Sequence, residues 1–148
     1  MKESKGKAGA LVALQFALLA LLVFNPFDPL REIERTFTLS LYVIATVVLA
    51  SAAVALGSAL TASPIPKDDA ELVTTGIYKW IRHPMYTALI LIGLGLLLGT
   101  FNLFSLVLYA TLVMVLIYKS QYEDALLSDR HKEARKYQEK TGRFFPRF

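Results

Sequence analysis

Two groups of residues in this chain are of types, and at spacings, that could do chemistry. The first is Thr75-Gly76-Ile77-Tyr78-Lys79-Trp80-Ile81-Arg82-His83-Pro84-Met85-Tyr86, where rings, a guanidinium and an imidazole crowd together between apolar runs. The second, about forty residues further on, is the acidic pair Glu123-Asp124. Pro84 disfavours helical geometry in the residue before it and suits the first turn of a helix. Arg82 and His83 are therefore expected in a fixed non-helical turn, with Tyr86 on the helix's first turn. A helix N-terminus, Arg82 and His83 all favour an anion, Tyr78 and Trp80 offer rings, and Glu123 and Asp124 favour a cation. A carboxylate near hydrocarbon is costly unless paired, so the acidic pair demands cationic partners or a ligand.

Each feature taken alone has a plainer structural reading. Lys119 lies four residues before Glu123, where the two side chains could form a simple ion pair, and Arg82 and His83 could serve only as topology-setting charge before a span. Taken together, the two groups describe a pocket for a ligand with a carboxylate, an aromatic base and a positive centre. S-adenosyl-L-methionine combines all three.

The elements that must hold these residues are apolar. The chain has 148 residues, is 55% hydrophobic and has a mean hydropathy of +0.47, which predicts an all-α integral membrane protein too short for more than one domain. It contains no cysteine, so disulfides, thiolate nucleophiles and cysteine metal sites are excluded. Its net charge of +4 lies beside apolar segments without an aromatic-interleaved nucleic-acid surface, and anionic membrane lipids are the expected partner. A basic tail leads into Ala8–Phe24, whose only polar residue is Gln15; with no small-residue cleavage site after it, this run reads as a span and not a signal peptide. Phe37–Leu60 is a second span, ended by Ser63-Pro64-Ile65-Pro66, and its small residues suit close helix packing. Tyr86–Thr100 and Asn102–Tyr118 form a helical hairpin, giving four membrane helices.

Charge sets the orientation. The tail carries Lys2, Lys5 and Lys7, the second loop Lys67, Lys79 and Arg82, and the C-terminal segment Lys119, Arg130, Lys132, Arg135, Lys136, Lys140, Arg143 and Arg147; the other side holds Arg31 and Arg35. The termini and the candidate site are therefore expected on the cytoplasmic face. After Tyr118, apolar residues recur at helical spacing among charges, predicting an amphipathic helix that continues or bends from the fourth span, lies along the interface and is stopped by Gly142. Phe144-Phe145-Pro146-Arg147-Phe148 would anchor its end among the headgroups.

Four motifs, in order, carry a resemblance to a known group. They are Leu72-Val73-Thr74-Thr75-Gly76-Ile77-Tyr78, Arg82-His83-Pro84-Met85-Tyr86, Glu123-Asp124 with Leu127, and Phe145-Pro146. The chain from about residue 67 to 148 resembles the integral-membrane methyltransferases of the isoprenylcysteine carboxyl methyltransferase and phospholipid methyltransferase group. The resemblance implies one membrane methyltransferase domain over residues 1–148, with two N-terminal spans in 1–66 and a cofactor-binding catalytic half in 67–148. It implies that Ala70, Glu71, Leu72, Val73, Tyr78, His83, Pro84, Met85, Tyr86, Glu123 and Asp124 bind S-adenosyl-L-methionine and that Arg82 and Glu123 are catalytic. Lys119 falls where an arginine contacts substrate in the isoprenylcysteine enzymes, and Arg82 is a second candidate for an anionic substrate group. The chain departs from the pattern at Glu71, usually neutral; at Ala88, usually glycine; at Asp124, usually glutamate; and at Arg130-His131, where a phenylalanine-glycine pair is common. Lysine for arginine at Lys119 also loses bidentate carboxylate recognition.

The implied reaction is methyl transfer to a lipophilic small-molecule or lipidated acceptor, most like isoprenylcysteine carboxyl O-methylation. Ethanolamine-phospholipid N-methylation and alkyl-thiol methylation are the alternatives. A nicotinamide-dependent membrane reductase would share parts of the architecture, but the chain has no glycine-rich dinucleotide fingerprint. A non-enzymatic scaffold or transporter would bind no cofactor. No metal is expected, because the only histidines, His83 and His131, are far apart and each stands beside basic residues.

Overall fold

The computed structural model describes residues 2–27, 35–65 and 71–147. Among these the chain is helical without strands: α1 is Lys2–Val23, α2 Arg35–Leu56, α3 Pro84–Gly99, α4 Leu103–Arg130 and α5 Ala134–Lys140. Short 3-10 turns at Gly57–Ala59 and Gly76–Lys79 follow α2 and precede α3. Ala70 and Lys67, and Arg31 of the first loop, lie outside the described residues.

Three helices, α1, α2 and α4, are long and apolar enough to cross a membrane, which marks the chain as an integral membrane protein. Their outward faces carry exposed Leu14, Phe16, Val43, Val47, Val54 and Val107, surface that only hydrocarbon or another apolar partner covers at no cost. α3 is equally apolar but has 16 residues, spanning about 24 Å at about 1.5 Å per residue, short of the roughly 30 Å hydrocarbon core. The apolar core lies where α1, α3 and α4 meet, with Leu18 and Leu22 packed against Tyr86, Leu108, Leu112 and Leu116. α3 lies against both α2 and α4, while α1 lies mainly on α4.

Local sequence explains the boundaries. α3 starts on Pro84 after His83, whose φ of −124° and ψ of 58° lie outside the helical region, and Pro84 needs no amide partner there. α4 starts on a capping box: Asn102 accepts from the Ser105 amide while Ser105 accepts from the Asn102 amide. Gly76 has φ +60°, and a β-carbon there would lie 3.3 Å from that of Ala55 on α2. Gly95 lets α3 approach α2, since a β-carbon there would come within 2.5 Å of the Tyr42 ring.

The C-terminal segment takes the first of the two courses expected for it, continuing from the last span where it could have bent there. α4 continues unbroken past Tyr118 to Arg130, and a separate α5 follows only after His131-Lys132-Glu133. Lys119, counted among the topology-setting charges, is fully buried within α4. Gly142 does more than end a helix: it pairs in parallel with Ile81. The chain 141–147 thereby becomes a strap laid along the residues that precede α3.

Candidate functional site

The strap fixes the turn that carries Arg82 and His83. The amide of Gly142 donates to Trp80 O (3.2 Å), and the amides of Arg82 and His83 donate to Gly142 O (2.9 Å) and Arg143 O (3.0 Å). Thr87, one turn into α3, donates its hydroxyl to Phe144 O (2.8 Å), and Tyr137 of α5 donates its hydroxyl to Tyr78 O (2.7 Å). A β-carbon on Gly142 would collide with the carbonyl oxygen of Phe145, so this close turn admits only glycine.

Asp124 is the charge centre of the site. One of its oxygens lies 2.8 Å from His83 Nε2, and the other lies 3.5 Å from both Arg82 Nη2 and Arg143 Nη2. Arg82 Nη1 donates to Gln138 O and Thr141 O, each at 2.5 Å, so this guanidinium binds α5 and the strap to α4. Glu123 is differently placed. Its Oε2 accepts from Tyr86 Oη (2.9 Å), stands 3.6 Å from His83 Nδ1, and its side chain is 27% exposed. The rings of His83 and Tyr86 stack with centroids 5.3 Å apart and planes within 10°.

The two groups that the sequence set on opposite walls are thus in direct contact, satisfying each other's charges. Burial opposes charge on His83, but the hydrogen bond to Asp124 and the two carboxylate charges outweigh it and hold the imidazole above its ordinary value. Burial also pushes the Tyr78 phenol up, with Glu123 adding to the effect, and raises Tyr137 to about 12.

Beside this cluster lies a cavity of about 300 Å³. Glu71, Leu72 and Val73 line one side, Tyr78, His83, Met85 and Tyr86 another, and Glu123 and Asp124 a third. Arg82 also reaches the wall, whereas Pro84 is buried behind it at the start of α3. Trp80 does not line the cavity; half its surface is exposed, with Lys79 Nζ 5.4 Å from its ring centroid. Lys119 sits just behind the lining: its Nζ donates to Gln15 Oε1 (2.5 Å) and lies 5.0 Å from the Tyr86 ring centroid. Its hydrogen bonds thus go to α1 and to Ala62 O (3.5 Å), away from the i,i+4 pairing with Glu123 that the spacing suggested.

Several participants escaped sequence reasoning. Arg143 and Gln138 contact the acidic centre from beyond α4, and Gln138 Nε2 donates to Asp124 O (2.9 Å). Nothing in their types distinguishes them from a solvated basic tail. Gln15 did leave a signal, as the one polar residue of the first apolar run. The N-terminal helices also enter the cavity, through Gln15 and Phe16 of α1 and Leu49 and Leu56 of α2. Among the described residues, no group of three or more His, Cys, Asp or Glu is placed to hold a metal ion.

A model of the isoprenylcysteine carboxyl methyltransferase (ICMT) family matches residues 38–129, more than half of the chain. The chain belongs to the ICMT family. The match begins within α2, well before the residue 67 at which the motif resemblance starts, and takes in both 3-10 turns, α3 and nearly all of α4. It stops before α5, so the strap that organises the ICMT-family motif residues here lies outside the matched region. The chain is also 37% identical over 81 residues to the nickel-cobalt-cadmium resistance protein NccN of Alcaligenes xylosoxydans xylosoxydans. That similarity takes in 52% of this chain and 37% of the length of NccN. The family is named for isoprenylcysteine carboxyl methyl transfer.

Proposed function

We propose that the chain transfers a methyl group from S-adenosyl-L-methionine to a lipophilic acceptor at the cytoplasmic face of a membrane, most like isoprenylcysteine carboxyl O-methylation. One observation carries the reading: a single cavity is lined jointly by Glu71–Val73, Tyr78, His83, Met85, Tyr86 and Glu123. Its size is at the lower end of the range for small-molecule sites. Its cationic lining groups, Arg82 and His83, are engaged by Asp124, while Glu71 and Glu123 leave carboxylates on the wall. Such a surface favours a ligand with a positive centre, and Leu72, Val73 and Leu127 suit the apolar face of a base.

Bound S-adenosylmethionine would supply an electrophilic methyl group on a sulfonium. The chain's own part is to position and to exclude water. Tyr86 aims the Glu123 carboxylate through its hydroxyl, and Glu123 would hold the cofactor's cationic end. Arg82 acts by clamping α5 and the strap onto α4, and Asp124, which it helps to hold, stands with it on the cavity wall, while Pro84 supports the turn from behind. A carboxylate or thiolate acceptor needs no general base, so no proton acceptor has to be found for it. Its hydrocarbon chain would reach the cavity from the bilayer between Phe16 on α1 and Leu49 and Leu56 on α2, and Lys119 would attract its anionic group. In this reading α3 completes a four-span arrangement with both termini in the cytoplasm, and residues 1–148 act as one methyltransferase domain.

Glu123→Gln tests the cofactor site: calorimetric binding of S-adenosylmethionine should weaken at least about tenfold, the loss of one charge-assisted contact, while the protein stays extractable in detergent. Unchanged affinity would refute the placement. Labelled-methyl transfer to prenylcysteine analogues, ethanolamine lipids and alkyl thiols then identifies the acceptor.

A further inference from the structure

His83 presents an unusual arrangement, with both ring nitrogens facing carboxylates. Nε2 is 2.8 Å from Asp124 and Nδ1 is 3.6 Å from Glu123. A neutral imidazole has one N–H, so one nitrogen would aim a lone pair at a carboxylate oxygen; only the doubly protonated ring suits both. The ring cannot turn away, being 5% exposed, stacked on Tyr86 and flanked by Phe144 of the strap. The other groups facing it divide the local charge unevenly. Arg82 from its own turn and Arg143 from the strap both approach Asp124, so among the described residues Glu123 is in direct reach of His83 and the neutral Tyr86 hydroxyl, with the Lys119 ammonium, bonded to Gln15, acting on it at longer range.

We propose that the His83 imidazolium is a resident counter-cation for Glu123, and that a sulfonium entering the cavity takes its place, with release of the Nδ1 proton to solvent. The N–H bond at Nδ1 breaks, the electron pair stays on the ring, and the Nε2–H bond to Asp124 is kept. One positive charge leaves as another arrives, so the buried cluster keeps its net charge; a ligand cation added beside a protonated His83 would face repulsion in a poorly solvated site. His83 would then set the pH dependence of cofactor capture without touching the transferred methyl.

This rests on the cofactor reading above, and the test separates the two. The full chain in detergent is titrated with S-adenosylmethionine, and separately with S-adenosylhomocysteine, in buffers of different ionisation enthalpy from pH 6 to 8.5. The two ligands share the amino-acid group and differ by the sulfonium charge, so their difference isolates the proton displaced by that charge. The expected difference approaches about one proton released per site on the acid side, with sulfonium affinity gaining as much as about tenfold per pH unit relative to the thioether. In His83→Asn, which keeps a donor for Asp124 but cannot titrate, the proton counts of the two ligands should become equal, whether or not both affinities fall. Equal proton counts for the two ligands in the wild-type chain would overturn the proposal without recourse to any variant. A difference that persists in His83→Asn would also overturn it. Failure of both ligands to bind would instead overturn the cofactor reading beneath it.

Discussion

Gly142→Ala is the sharpest probe of how this site is assembled. A β-carbon at residue 142 would overlap the carbonyl oxygen of Phe145, a backbone atom that no rotamer change can move aside. The strap must therefore shift, and with it the three backbone hydrogen bonds that join residues 142 and 143 to Trp80, Arg82 and His83. At about 0.5–1.5 kcal/mol net for each bond, their loss costs about 1.5–4.5 kcal/mol. For a chain of this size that corresponds to a drop of about 3–18 °C in apparent melting temperature. Where space is free, the same substitution acts in the opposite direction, because alanine restricts the unfolded chain and favours helix. Gly99, at the end of α3 with nothing near its would-be β-carbon, supplies that control. The assay is thermal unfolding of both variants in one detergent, with S-adenosylmethionine affinity measured alongside. Gly142→Ala should melt lower and bind cofactor more weakly, while Gly99→Ala should match or exceed the wild type. A Gly142→Ala protein that melts with the Gly99→Ala control would refute the strap.

Three further predictions follow from other contacts. Gly95→Ala brings a methyl group against the Tyr42 ring and should destabilise by about 1–3 kcal/mol; combining it with Tyr42→Leu should restore part of the loss, and strictly additive melting shifts would show that the contact is not the cause. Because the folded protein holds the His83 imidazole above its ordinary value, His83 contributes stability that is fully present below pH about 6.5 and is lost as pH rises through the folded value. The melting advantage of the ligand-free wild type over His83→Asn should therefore shrink with increasing pH, and an advantage that grows would contradict the pairing. Lys119→Met keeps length but removes the charge behind Tyr86; acceptor KM should rise about fivefold, the loss of about 1 kcal/mol of attraction acting across the Tyr86 ring, with cofactor affinity little changed. An unchanged acceptor KM would remove Lys119 from substrate recognition.

Much of the fold was legible in the chain because hydrocarbon imposes a one-dimensional rule. Long apolar runs become helices whatever their partners, since no other backbone arrangement satisfies itself in lipid. Ala8–Phe24 and Phe37–Leu60 accordingly correspond to α1 and α2, and the Gly99–Asn102 break falls between α3 and α4. Pro84 set the start of α3 by removing an amide and restricting its predecessor, both local effects. For the C-terminal segment the periodicity after Tyr118 left open whether the helix continues or bends from the fourth span, because side-chain spacing is the same in both cases, and α4 continues to Arg130.

By itself, then, the sequence determined the membrane helices, the turn before Pro84 and the two groups of residues able to meet at a site, because each depends on side-chain type or on the nearest neighbours in the chain. Only the tertiary structure decided how those groups meet. The spacing suggested an anion wall facing a cation wall, but folding brings Arg82 and His83 into contact with Asp124, because charges sharing a poorly solvated site neutralise each other before they can wait for a ligand. It also supplied Arg143, Gln138 and the glycine-dependent turn at Gly142 from a segment whose composition reads as a solvated basic tail. And it left Glu123, with His83 as the one cation within ion-pair distance among the described residues, as the more weakly paired carboxylate on the cavity wall, a distinction from Asp124 that depends on which oxygen lies where and that adjacent positions in a sequence cannot express.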